Sequence, residues 1–176
     1  MLNKITSHVS HRDELKFSDR NERIFSFLKQ NPIGVLSTVT PNNSPHGTVV
    51  YFQINKDFTV SFLTKTETRK YSNLSHNNHV MLTVFEPESQ AVAQVIGTTE
   101  EIEDGFETNS IAGTILGISM KTSEAGTPPI SKLYAGAYVA MKITPAQIRM
   151  TVYARPGSGS YEELFESLES FELKDT

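Results

Sequence analysis

Val60–Leu74, VSFLTKTETRKYSNL, opens as an apolar strand and closes as an amphipathic helix. Between the two lies a polar hinge, Thr64-Lys65-Thr66-Glu67-Thr68-Arg69-Lys70, which sets hydroxyls, a guanidinium and an ammonium around the start of the helix. A helix start carries unpaired backbone N–H groups and the positive end of the dipole, so the hinge suits an anion such as a phosphate. The plain alternative is a pair of solvated charges, Arg69 and Lys70, on an exposed helix. Charge-assisted hydrogen bonds contribute roughly 1.5–3 kcal/mol each, and a helix terminus adds roughly 0.3–1 kcal/mol. Association itself costs several kcal/mol. A useful ligand therefore needs an apolar or aromatic body beside its phosphate.

The flanking sequence is rich in short strands. Ile33–Thr40 is β-branched, Pro41–Pro45 is a turn signal, and Thr48–Ile54 and Phe58–Leu63 follow as strands around Asn55-Lys56-Asp57. Val80–Phe85 and Ala91–Ile102 continue the pattern, and Gly97 inside the latter marks a bulge or a close approach. Tyr138–Ile143 and Arg149–Tyr153 read as two more strands joined by Thr144-Pro145-Ala146. Tight turns between sequence neighbours predict an antiparallel barrel. Helices are expected over about Arg20–Gln30, capped by Ser18 or Asp19, and over Thr108–Met120. Ser123–Pro129 reads as a loop. Residues 1–18 read as an N-terminal arm, 19–154 as the domain, and 155–176 as a linker and an acidic C-terminal helix. In that last segment Tyr161, Leu164, Leu168 and Phe171 recur at helical spacing among five glutamates, which requires a docking surface on the domain or on a dimer mate.

Composition narrows the function classes. The 176 residues suit one domain, and the formal net charge of −4 disfavours broad nucleic-acid binding. With no cysteine, disulfides, thiolate metal sites and cysteine nucleophiles are excluded. No apolar run approaches the ~20 residues of a membrane span, and residues 1–17 lack a signal-peptide core; a cytoplasmic setting is expected. Dinucleotide, P-loop, nucleophile-elbow and zincin motifs are absent. His8 and His11 sit in the polar arm, and His76 and His79, at i, i+3 near a helix end, have no acidic or cysteine ligand nearby in sequence, so no metal site is expected. His46, between Pro45 and Gly47, borders the hinge region but reads first as a turn residue.

The ordered set of segments resembles the pyridoxamine 5′-phosphate oxidase-like family, the FMN-binding split barrels. The similarity runs from Ile33 to about Glu103: the strand IGVLSTV, the turn PNNSPHG, the motif Thr64…Thr68-Arg69-Lys70 with Asn73-Leu74 after it, and the strand containing Val95-Ile96-Gly97-Thr98-Thr99. The resemblance implies a mainly β fold, a six-stranded antiparallel Greek-key split barrel with flanking helices. It further implies a homodimer with FMN sites at the subunit interface. Arg69 and Lys70 would hold the phosphate with Thr64 and Thr68 assisting. Thr48, Val49 and Val50 would meet the isoalloxazine edge through backbone groups, Leu63 would pack near the ring, and Gln94 would offer it a polar contact. Thr48 stands where the true oxidases carry an arginine, and their C-terminal arginine–histidine segment has no counterpart.

An FMN-dependent oxidoreductase is therefore expected, exchanging a hydride with a nicotinamide or a small organic substrate, and not a pyridoxamine phosphate oxidase. No residue stands out as a general acid or base. The alternatives are a non-catalytic flavin, deazaflavin or haem binding or storage protein on the same fold, and a cofactor-free domain whose acidic helix contacts a partner.

Overall fold

The computed structural model describes residues 17–122, 138–153 and 165–172. Among the described residues three helices, α1 (Phe17–Gln30), α2 (Arg69–His76) and α3 (Gly105–Thr122), accompany seven strands. The strands are β1 (Ile33–Val39), β2 (Pro45–Ile54), β3 (Val60–Lys65), β4 (His79–Glu86), β5 (Ala91–Ile102), β6 (Tyr138–Tyr153) and β7 (Phe165–Glu172). They pair antiparallel in the order β3-β2-β1-β4-β5-β6-β7, and an added β3–β6 ladder closes the first six into a barrel. The run β3-β2-β1-β4, a three-strand meander whose fourth strand returns beside the first, is a Greek key. The expected six-stranded split barrel is what the chain builds.

Alternation along the strands sets the interior. Leu36, Phe52, Val60, Phe62, Leu82, Val84, Val95, Ile143 and Ile148 fill it, and α1 adds Ile24 and Leu28 to the same core. Phe58, in the turn between β2 and β3, adopts a left-handed φ of 65°, a conformation costing roughly 1–2 kcal/mol. Its ring is nonetheless buried, edge-on to Phe25 with centroids 6.1 Å apart, which compensates. Outside the barrel, α3 lays Ile111 and Ile115 over Leu63 and Ala140. The outer faces of β1, β2, β4 and β5 carry exposed apolar side chains: Val49 is 62% exposed, Phe85 58% and Val35 42%.

Three expectations change. β6 is one strand of 16 residues, not two. Thr144-Pro145-Ala146 does not break it, because the β5–β6 register skips a residue there: Ile96 pairs with Gln147 and Gly97 with Pro145. A proline without an N–H fits beside a bulge, where the ladder is already interrupted. α1 begins at Phe17, so the last residues of the predicted arm belong to it. The C-terminal acidic segment is a strand over Phe165–Glu172, where a helix was expected. Its apolar spacing of three is absorbed by a second irregularity: Leu168 pairs with Met150 and Phe171 with Ile148, so both oppose core positions although three residues separate them. Residues 1–16, the Ser123–Pro129 loop and the 155–160 linker lie outside the described residues.

Gly97 shows why the bulge needs a glycine. A Cβ there would strike the Thr144 carbonyl oxygen and approach Pro145 Cα to 2.9 Å, backbone atoms that cannot rotate away. Gly97→Ala is expected to destabilise the fold by about 1–3 kcal/mol, read as a lowered denaturation midpoint at unchanged m-value.

Candidate anion-binding site

β3 ends at Lys65, and a tight turn carries the chain into α2: the Thr68 N–H donates to Lys65 O at 3.1 Å. Thr68 is the N-cap, with φ −85° and ψ 150°, and its Oγ1 accepts the Tyr71 N–H at 3.3 Å. The same hydroxyl donates to Lys65 O at 2.8 Å, so the 3.0 Å contact between the two threonine oxygens is supplied by the Thr64 proton. Thr64 and Thr68 thus spend their hydroxyl protons on shaping the hinge.

At the helix start, the N–H groups of Arg69 and Lys70 find no acceptor among the described residues. The first turn of α2 contains no acidic residue and begins with two cations. That arrangement opposes the helix dipole, which favours anions at this end. Local preference is violated at one point, the kind of place where function is sought.

Lys70 sharpens the point. Its side chain is only 9% exposed, and its ammonium lies 5.5 Å from the centroid of the buried Phe62 ring. No carboxylate among the described residues pairs with it. Burial lowers its pKa from 10.5 to about 8. The ring supplies some cation–π attraction, roughly 0.5–2 kcal/mol, but no counter-charge. Arg69, by contrast, is exposed beside it. A desolvated cation, an exposed guanidinium and free N–H groups at one helix start fit an anion with several acceptor oxygens.

The structure brings Thr64, Thr68, Arg69 and Lys70 together at the β3–α2 hinge. Leu63 faces outward under α3. On β2, Val50 is buried in the barrel core, Thr48 shares its side of the strand, and Val49 points out. Only the backbone of Val50 remains for a ligand. Gln94 lies on β5, where its Nε2 approaches Met81 Sδ at 3.6 Å. The register aligns Val49, Val35, Thr83 and Gln94 in one row across β2, β1, β4 and β5. Three strand spacings put Val49 and Gln94 about 14 Å apart.

Sequence reasoning named Asn73, which is 1% exposed, only as part of the motif and gave it no role, missed Thr38, and read His46 first as a turn residue although it belongs to β2. The signal available for Asn73 was a poor helix former one turn after Lys70, on the same face of a short helix. Among the described residues no group of three or more potential metal ligands occurs, and no helix is long and apolar enough to cross a membrane.

The chain belongs to the pyridoxamine 5′-phosphate oxidase family, whose profile matches residues 21–152. No curated protein matches significantly. Similar solved structures include a Listeria innocua protein provisionally named a pyridoxamine 5′-phosphate oxidase, 24% identical, with a TM-score of 0.58 over 74% of this chain and 96% of that one. An F420 reductase is 22% identical, with a TM-score of 0.56 over 70% of this chain and 93% of that one. A heme binding protein from Mycobacterium smegmatis is 13% identical, with a TM-score of 0.57 over 84% of this chain and 57% of that one. At these identities the likeness is one of fold.

The Lys70 ammonium would make the affinity of this candidate site for an anion pH-dependent. A bound dianion favours the charged amine, so the bound-state pKa lies above 8. Affinity for a phosphate ester should be full below about pH 8 and fall up to about tenfold per unit above it, until the bound-state pKa is passed. Lys70→Met should bind more weakly at pH 7 and lose that alkaline limb, measured by titrations between pH 6.5 and 9.5.

Proposed function

We propose that this chain is an FMN-binding flavoprotein and an oxidoreductase acting on a small molecule or a nicotinamide. The observation that carries the proposal is the buried Lys70 ammonium, which no carboxylate among the described residues pairs, beside α2-start N–H groups that find no acceptor among those residues. A phosphomonoester supplies the missing charge and acceptors, and the flavin supplies the aromatic body that makes the grip worthwhile. FMN would bring hydride and electron transfer; the protein's share is binding, orientation and electrostatics. Arg69 and Lys70 hold the phosphate. Thr64 and Thr68 hold the hinge that presents them. The Thr48–Val50 backbone edges the ring.

The second part of the proposal is a homodimer with cofactor sites between subunits. Val49 and Gln94 lie in one row across the outer face, about 14 Å apart, and a second copy packed on that face would let the two, one from each subunit, meet a single flavin. The exposed Val35, Val49 and Phe85 give such an interface an apolar centre. Thr48 stands where the resemblance implies an arginine, which argues against pyridoxamine phosphate as substrate. Binding without turnover, of flavin, a deazaflavin or haem, is the competing reading, which the heme binding protein among the similar structures supports for haem.

FMN added to purified protein should be retained with flavin's visible bands, and a reduced nicotinamide should bleach them anaerobically. Arg69→Ala and Lys70→Ala should each weaken FMN about ten- to a hundredfold. No flavin uptake, with both variants matching wild type, would overturn the proposal. A Soret band after haem addition, or bound flavin that no reductant bleaches, would favour the binding reading. Val49→Asp should shift the protein to monomer in sedimentation and weaken FMN in parallel; a dimer that persists would count against the interface.

A further inference from the structure

Asn73 sits one turn after Lys70, on the buried face that α2 turns to the barrel, together with Leu74. Its Nδ2 lies 2.9 Å from Thr38 Oγ1 and 3.3 Å from His46 Nδ1. The donor roles follow from the network itself. The Thr38 hydroxyl donates to the His46 carbonyl oxygen at 3.2 Å, so its oxygen is left to accept from Asn73. One amide hydrogen of Asn73 serves Thr38, and the other points at His46 Nδ1. That nitrogen must then present its lone pair, which places the proton of the neutral imidazole on Nε2.

We propose that Asn73 is the positioning residue of the anion site, and that it also fixes the tautomer of His46; the first half rests on the phosphate-binding reading above. α2 is only eight residues long, and an apolar anchor such as Leu74 resists withdrawal more than rotation. Rotation is what decides where Lys70 and the free N–H groups point. Directional bonds from a buried amide to β1 and β2 fix it. The Thr68 cap ties only the start of the helix to β3, and the bond from Tyr71 Oη–H to Glu101 Oε2 at 2.9 Å is exposed and weakly constraining. The same clamp joins the helix bearing the cations to the strand bearing Thr48–Val50, so it sets the phosphate position relative to the ring edge. His46, its tautomer held, presents an Nε2–H donor at the end of that strand.

The test compares FMN with riboflavin, which lacks the phosphate, on wild type, Asn73→Leu and Thr38→Val. The ratio of the two dissociation constants reports the phosphate grip alone. In Asn73→Leu that ratio should fall by about ten- to a hundredfold, with riboflavin affinity unchanged; Thr38→Val, which removes one acceptor, should fall part of the way. Equal weakening of both ligands would mean a merely structural role and would overturn the inference, as would an unchanged ratio. Nitrogen-15 NMR supplies a readout independent of ligand: wild-type His46 should be the Nε2–H tautomer, and Asn73→Leu should release it to a mixture. An Nδ1–H tautomer in wild type would refute the clamp. If Asn73→Leu fails to fold, Thr38→Val and the wild-type tautomer decide. A wild type that does not distinguish FMN from riboflavin would fail the phosphate-binding reading itself, whereas discrimination that survives in folded variants fails only the role of Asn73.

Discussion

The β3–β6 ladder is the contact on which the rest depends. It pairs Val60–Lys65 with Ile143–Tyr138 and turns an open sheet into a barrel. Closure needs β6 to serve β5 along one edge while its other edge changes partner, from β3 over 138–143 to β7 over 147–153. The change falls at the Gly97/Pro145 bulge, which bends the strand out of one ladder and into the next. Closure also fixes where β3 ends. Its last residue, Lys65, is tied down opposite Tyr138, and the hinge springs from that anchored point.

A hinge anchored in this way can hold groups that local preference would scatter. Two cations at a helix N-terminus repel the dipole, and a lysine over a buried phenylalanine loses hydration. Neither would survive on a free helix of eight residues, which is too short to be stable in water. The Thr64–Thr68–Lys65 hydrogen bonds fix the turn, Leu74 and Asn73 fix the helix on the barrel, and the cations are carried along. Rigidity here comes from the β-framework, while the chemistry sits on the short segment it restrains.

Periodic signals were legible in the sequence and compensating ones were not. Ala91–Ile102 was readable to the residue because its alternation is long and its glycine sits mid-strand. The hinge was readable because a strand, three threonines and two cations adjoin in one run. β6 was misread at Pro145, since the bulge that tolerates a proline is a property of the β5 partner and of Gly97, 48 positions away. β7 was misread as a helix for a related reason: a residue taken up by a bulge converts spacing of two into spacing of three. Thr38, His46 and Asn73 come from separate segments, and only the folded barrel brings them together. The alternation of β2 likewise assigns Val50 to the core, a division between inner and outer face that residue type alone does not reveal.

The same energetics join stability to binding. An amine whose pKa falls from 10.5 to about 8 on folding destabilises the ligand-free fold wherever it is charged. Between those values the unfolded chain holds more protons than the folded one, so this contribution to stability improves as pH rises. An anion reverses the sign by stabilising the charged form in the folded state, and so adds to the linkage by which any ligand stabilises its receptor. The ligand-free protein therefore carries a desolvated charge that an anion bound at the hinge would relieve. A methionine at position 70 would suit the empty barrel better and the occupied one worse, which is the trade expected of a binding residue and not of a core residue.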